Sequence, residues 1–326
     1  MNWVELLLYL FAVAVFPGFI FLSLLGTFTE WIERKVAARA QNRMGPTYVG
    51  PMGLFQPIAD ILKLLWAKEL VISKGFSWRV TLFLVSTAVM ALSASTLLMP
   101  ISPIRLSTTF DSLVLVYVLF YTTLGFLAIG FSSPSPFGVV GSSRMLSIEC
   151  MVEPAAAISI YAISAALTGM KTASVSEAMT VQVGLQQYPA LVLGGIALFL
   201  VMMAKSLMKP FDIPEAETEV AGGIVADVGG PLLGMFRILH DMEASFLALL
   251  FTLLVLRGPY PFSYADPPGW VLIGVKFVVV VLVATAISAS LGRLRIEQGV
   301  ALLGKYSLIV SIAALGAAAL NYYVVA

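Results

Sequence analysis

Residues 30–69 read EWIERKVAARAQNRMGPTYVGPMGLFQPIADILKLLWAKE, a charged stretch set between two long apolar runs. It carries six of the chain's 19 Lys and Arg residues and four of its 18 carboxylates. Gly45-Pro46 and Gly50-Pro51 punctuate its middle, a pairing that marks turns. After them, GLFQPIADILKLLWAK places Leu54, Ile58, Ile61, Leu62, Leu65 and Trp66 close to helical spacing. Gln56, Asp60, Lys63 and Lys68 fall elsewhere on that helix. The segment is too short to span a bilayer. Its pattern predicts an amphipathic helix lying in the membrane interface, with a plain surface anchor as the blander alternative.

Working outward, the flanks are membrane helices. A bilayer core takes about 20 apolar residues per helix. Eight runs reach or approach that length: roughly 4–29, 80–99, 112–131, 145–168, 189–208, 231–256, 270–291 and 303–325. Lipid admits only helices or closed barrels, and the polar–apolar alternation of a barrel is missing. The expected fold is therefore an all-α integral membrane protein of about eight transmembrane helices. It forms a single membrane domain over 1–326, with linkers 30–79, 132–144, 209–230 and 292–302 in the cytoplasm.

Lys and Arg set that orientation. Fourteen lie in the four linkers just named or the helix ends beside them, against Arg105, Lys171 and Arg257 in the other three. Positive charge stays inside, so both termini are expected outside. The 169–188 connection predicts a short interfacial helix within TASVSEAMTVQ. The Met1 segment lacks a basic leader and reads as a first membrane helix rather than a removable signal.

Bulk composition agrees. Of 326 residues 60% are hydrophobic and 11% charged, where soluble domains average about 25% charged. The net charge of +1 offers no field for nucleic acid. One cysteine, Cys150, and one histidine, His240, exclude a disulfide framework and any four-cysteine or zinc site within this chain. The chain is expected to bind no metal or cofactor of its own, leaving iron–sulfur clusters to partner chains.

Ionisable groups inside membrane helices cost about 2.5–3.5 kcal/mol each on insertion scales, so they mark partners or wet cavities. Glu149 and Glu153 stand four residues apart on one helix face. That pair reads as a proton relay, or as shallow groups meeting water or Arg144. Arg237, His240, Asp241 and Glu243 share one run, with Arg237 and Asp241 spaced to neutralise one another. Asp212, Glu215, Glu217, Glu219 and Asp227 form an acidic linker opposed only by Lys205 and Lys209. Interleaved Phe211, Ile213 and Val220 favour a loop folded into a cavity over a solvated tail. Lys276 lies about two turns into its helix and needs a carboxylate or a path to the interface. Together Glu149, Glu153, Asp212, Glu215, Glu217, Glu219, Asp227, His240, Asp241, Glu243 and Lys276 form the expected proton or ion path. No hydrolytic, nucleotide-binding or dinucleotide motif is present.

Residues 33–69 resemble the first cytoplasmic linker of the H-type membrane subunit of bacterial complex I, the counterpart of the mitochondrial subunit 1. The shared pattern is ERK, then Q-x-R-x-G-P, V-G-x-x-G-x-x-Q-x-x-x-D and K-L-x-x-K-E. KPFDIPEAETE (209–219) resembles that family's acidic loop, GRLRIEQ (292–298) its last inner linker, and Arg144 with Glu153 its Arg–Glu pair. The related subunits of ferredoxin-linked membrane hydrogenases and sulfur-reducing complexes share this type.

The resemblance implies a non-redox subunit in a prokaryotic cell membrane, seated where a peripheral electron-transfer arm meets the membrane arm. Its partners would be peripheral redox subunits, antiporter-like and small membrane subunits, and lipid. Arg34, Lys35, Arg39, Arg43, Asp60 and Lys63 would dock the peripheral arm. A quinone would enter at this interface in quinone-using members. Here Ile224-Val225-Ala226-Asp227-Val228 replaces the family's F-N-x-E-Y, and Gly292 and Glu297 replace Pro and Asp. Those departures favour the quinone-independent branch. A stand-alone ion transporter and a passive anchor for a soluble oxidoreductase are the alternatives. The lack of an internal repeat counts against the transporter.

Overall fold

The computed structural model describes residues 3–69, 75–104, 106, 108–170, 174–181 and 184–325. Arg105 and Lys171, two of the three outer-linker charges, lie outside these. The elements in order are α1 (Trp3–Ala14), α2 (Phe19–Ala40), α3 (Gln56–Leu62), α4 (Trp78–Ser95), α5 (Asp111–Phe131), α6 (Pro136–Thr168) and α7 (Val175–Ala178). They continue with α8 (Tyr188–Lys205), α9 (Glu217–Val220), α10 (Gly230–Leu254), α11 (Pro267–Ser290), α12 (Ile296–Leu302) and α13 (Ile309–Val325). No strand occurs among the described residues.

Among the described residues seven stretches are long and apolar enough to cross a membrane; the first joins α1 to α2 and the last joins α12 to α13. The eighth expected span is α10. Its 25 residues suffice in length, but Arg237, Asp241 and Glu243 make it too charged to qualify on composition. It is instead largely enclosed, with Leu239, Met242, Phe246 and Leu250 all fully buried. A charged helix is tolerated in lipid only when its neighbours shield it.

Boundaries shift from the sequence expectation in three places. The run 4–29 is broken at Val15–Gly18, because Pro17 has no N–H to continue the ladder. α2 then runs on to Ala40, so Glu30, Arg34, Lys35 and Arg39 sit on its last turns rather than in a loop. α6 starts at Pro136, capped by Ser135 Oγ accepting from Phe137 N at 3.2 Å. Most of the 132–144 linker is therefore helix. The short helix expected within 169–188 is α7, capped by Ser174.

α10 packs against α2, α4, α8 and α11, and α6 against α5, α8 and α13. With no hydrophobic drive between helices in lipid, such contacts depend on close packing and hydrogen bonds. Gly26 of α2 shows how close: a Cβ there would lie 2.6 Å from the backbone oxygen of Asp241. α3 and the π-helical turn after it, Lys63–Ala67, lie across α10 and α2. Pro57, Ile61 and Leu64 face the protein, while Leu62 and Trp66 are exposed. The amphipathic helix thus has one face on the bundle and the other free.

Candidate functional site: a buried ionisable seam

Lys205, the last residue of α8, is 1% exposed. Its Nζ donates to Glu153 Oε1 at 2.6 Å, Thr123 Oγ1 at 2.9 Å and the Leu119 carbonyl at 3.3 Å. It lies 3.3 Å from Glu149 Oε2, an ion contact outside hydrogen-bond alignment, and 3.7 Å from Glu243 Oε1. Thr122 Oγ1 donates to Glu243 Oε1 at 2.7 Å, and Thr123 Oγ1 donates to Glu153 Oε1 at 3.0 Å. Four helices therefore converge here: α5 gives the threonines, α6 two carboxylates, α8 the ammonium and α10 the third carboxylate. One cation faces three acids away from water. With all three ionised the site would carry two uncompensated negative charges, a costly state in a dry interior. Protons shared within the group relieve it, which gives the cluster the capacity to take up and release them.

A second cluster joins α2, α3 and α10. Arg34 donates to Glu30 and, through Nη1, to Asp60 Oδ2 at 2.6 Å. Gln56 Nε2 steadies Asp60 Oδ1 at 3.0 Å. Arg237 Nη1 approaches Glu30 Oε1 at 3.7 Å. The expected Arg237–Asp241 neutralisation is not made, because Glu30 of α2 takes Arg237. Asp241, 7% exposed, lies beside His240 instead, Oδ1 to Nδ1 at 3.4 Å. His240 Nε2 faces the Ser206 carbonyl at 3.1 Å. His240 is also within electrostatic reach of Glu33, Glu215 and Glu243. It thereby links this cluster to the Lys205 group.

The acidic segment between α8 and α10 folds back on the bundle, as its interleaved apolar residues suggest: Phe211, Ile213, Val220 and Ile224 are all buried. Its acids have specific partners rather than Lys205 and Lys209. Asp212 accepts from Arg293 at 2.5 Å, Glu219 from Arg144 at 2.5 Å, and Asp227 from Ser133 Oγ at 2.7 Å. Arg144 thus serves the loop, and Glu149 and Glu153 meet Lys205 instead of Arg144. Burial pushes the Glu215 carboxyl above the usual carboxylate range; His240 opposes the shift and Asp212 adds to it. Glu217 is exposed.

Other predicted residues stand apart. Lys276 Nζ donates to the carbonyls of Leu256, Gly258 and Tyr260 at 2.8, 2.8 and 3.0 Å. It meets no carboxylate in these contacts and does not join the seam. Of the expected docking residues, Arg34 and Asp60 are spent on the second cluster. Lys35 Nζ donates to the Pro46 carbonyl at 2.6 Å and Arg43 Nε to Gln41 Oε1 at 2.8 Å, both shaping the turn. Arg39 and Lys63 are exposed. Sequence reasoning missed Lys205 as the centre of the site with Thr122 and Thr123 around it, and Glu30 and Glu33 in the second cluster. A lysine ending an apolar helix was the available signal. Among the described residues no group is arranged to hold a metal ion.

Fold and site define a multi-pass helical membrane protein with an ion-paired seam through its interior. The family model described as NADH dehydrogenase matches residues 12–319. The NADH-quinone oxidoreductase H subunit of Dehalococcoides mccartyi (strain ATCC BAA-2266 / KCTC 15142 / 195) is 30% identical over 317 residues, 95% of this chain and 85% of the relative. That of Aquifex aeolicus (strain VF5) is 31% identical over 265 residues, 76% of this chain and 77% of the relative. Among solved structures, a chain of the membrane-bound sulfane sulfur reductase, an archaeal respiratory membrane complex, superposes with a TM-score of 0.78 at 26% identity. That match covers 96% of this chain and 99% of the other. The chain belongs to the NADH dehydrogenase family of H-type subunits, as a membrane subunit of a complex I-like respiratory oxidoreductase.

Proposed function

We propose that this subunit couples electron transfer on partner chains to ion movement, with the Lys205 cluster as its proton-holding element. The observation that carries this reading is one buried ammonium against three carboxylates from two helices. A passive anchor has no use for so costly an arrangement. His240, Glu33 and Glu215 extend the seam toward the 206–229 loop. Change at a redox site above that loop would be felt as a change in charge on Glu215 and His240, then on Glu243.

The partners are peripheral-arm redox subunits, antiporter-like and small membrane subunits. The membrane is the prokaryotic cell membrane, with the 206–229 loop inside and both termini outside. We place the complex in the quinone-independent branch, reducing sulfur or protons with ferredoxin. Two features support this. Ile224 and Val228, which stand where the family's aromatics do, are buried as aliphatic packing. The cavity of about 330 Å3 between α2 and α11 has Glu33, Arg34, Arg43 and Lys209 on its wall, a charged lining poorly suited to a quinone ring.

The test is the purified complex in proteoliposomes carrying Glu149→Gln, Glu153→Gln or Glu243→Gln. Electron transfer should persist while ions moved per electron fall at least severalfold. Coupling retained in all three variants would overturn the relay. Activity with NADH and a quinone, and none with reduced ferredoxin, would overturn the branch assignment.

A further inference from the structure

The end of α10 remote from the acidic loop holds a second charged place that the seam does not use. There the chain turns through Val255–Asp266 before α11. Arg257 lines a cavity of about 650 Å3 together with Tyr188, Val255, Tyr260, Phe262 and Tyr264. One guanidinium N–H, on Nη1, donates to the Ala178 carbonyl at 2.6 Å. A guanidinium has five N–H donors, so four remain beyond that bond. The titratable groups that act on it are the phenols of Tyr188 and Tyr264, neutral at physiological pH, rather than a carboxylate, and burial pulls the guanidinium below its ordinary range.

The backbone is committed to this placement. Arg257 has φ +63°, in the left-handed region that Gly and Asn adopt more readily. Lys276 holds the turn from the other side, using its ammonium on the carbonyls of Leu256, Gly258 and Tyr260. Among the described residues, the one carboxylate on the cavity is Asp266. It is solvent-exposed and occupied by Ser263, accepting from N at 3.1 Å and Oγ at 2.9 Å. A half-buried cation without a counter-anion among the described residues, at a strained position, calls for an anionic ligand. The rim fits a ligand presented at the membrane surface. Tyr188, Tyr260 and Phe262 are exposed, and aromatics at the ends of spanning helices mark headgroup depth.

We propose that this cavity binds a phosphate group, with Arg257 as the anion-holding residue and a phospholipid headgroup as the source that the rim favours. Lys276 is a positioning residue for the turn. The experiment is native mass spectrometry on the purified complex, stripped of lipid by detergent exchange. It is titrated with phosphatidylglycerol, with a galactolipid bearing the same chains, and with phosphatidylglycerol in the presence of inorganic phosphate.

One phosphatidylglycerol per complex should bind at least tenfold more tightly than the galactolipid. Arg257→Gln should lose that margin and Arg257→Lys keep most of it. Displacement by millimolar inorganic phosphate would support the phosphate site and identify the free ion as an alternative source. Persistence of the lipid under phosphate would identify the whole headgroup. Equal uptake of the two lipids by the unmutated complex overturns the proposal whether or not the variants assemble, as does an unchanged margin in an assembled Arg257→Gln complex.

Discussion

Lys205→Met removes the cation on which Glu149, Glu153 and Glu243 converge. The three contacts measure 3.3, 2.6 and 3.7 Å. At an effective dielectric of about 20, each is worth roughly 4–6 kcal/mol of Coulomb attraction. Desolvation of the ammonium and repulsion among the acids cancel most of that, and breaking such a buried group costs about 3–5 kcal/mol in practice. For a chain of this size the loss corresponds to a midpoint lower by on the order of 10 °C. The assay is thermal disassembly of the detergent-solubilised complex at neutral pH. Neutralising two of the three carboxylates along with the cation should recover part of the stability, because neutral groups of similar volume often replace a buried ion pair at little cost. The Glu149→Gln/Glu153→Gln/Lys205→Met variant should therefore disassemble closer to wild type than Lys205→Met does, yet move fewer ions per electron. The reasoning is refuted if Lys205→Met is as stable as wild type, or if the triple variant is less stable than Lys205→Met.

Three further outcomes follow from particular contacts. Gly26→Ala should destabilise by about 1–3 kcal/mol through overpacking against the Asp241 backbone, outweighing a helix-propensity gain of about 1 kcal/mol; an unchanged yield and midpoint of the complex would contradict the close approach. Arg144 and Glu219 pair at 2.5 Å, but Glu219 is 45% exposed, so an Arg144→Ala/Glu219→Gln double-mutant cycle should give a coupling below about 1 kcal/mol that fades in high salt. A coupling above about 2 kcal/mol would show the loop to be better shielded than its geometry indicates. Burial raises the Glu215 carboxyl, so the folded state holds that proton more tightly than the unfolded chain does. The resulting penalty is absent below the ordinary carboxylate range and grows as pH rises from there through the folded value. Glu215→Gln should therefore raise the disassembly midpoint at pH 8 and leave it unchanged at pH 4, and the opposite pH order would refute the assignment.

The helical architecture was legible because hydropathy and the ban on open backbone in lipid leave few solutions. Even the one helix that fails on composition, α10, was visible as an apolar run. Its charges were visible too, but their partners were not. Spacing along one helix suggested Arg237 with Asp241, whereas the structure pairs Arg237 with Glu30 from another helix. Local periodicity reports which residues share a face and says nothing about which helix lies opposite. Lys205 was hidden for a related reason. Its sequence neighbours made it part of the acidic loop, while the length of α8 carries its side chain back among α5, α6 and α10.

The order of groups along α10 explains why this helix tolerates its charges. Arg237, His240 with Asp241, and Glu243 follow at intervals of three or so residues, and six residues of helix rise about 9 Å. The first meets α2, the second lies between α2 and the end of α8, and the third reaches Thr122 and Lys205. Arg237 is answered from α2 and Glu243 from α5 and α8, while Asp241 is paired by His240 within α10 itself. Gly26 lets α2 approach closely enough to shield Asp241. A displacement of the 206–229 loop that shifts Glu215 or the Ser206 carbonyl acts first on His240, one helical turn from Glu243. On the proposed coupling, conformational change at the loop and proton occupancy of the Lys205 cluster communicate through α10, and substitution of His240 by Gln should uncouple them while leaving both clusters assembled. The measurement is ions moved per electron in proteoliposomes, and full coupling in that variant would mean the signal travels by another helix.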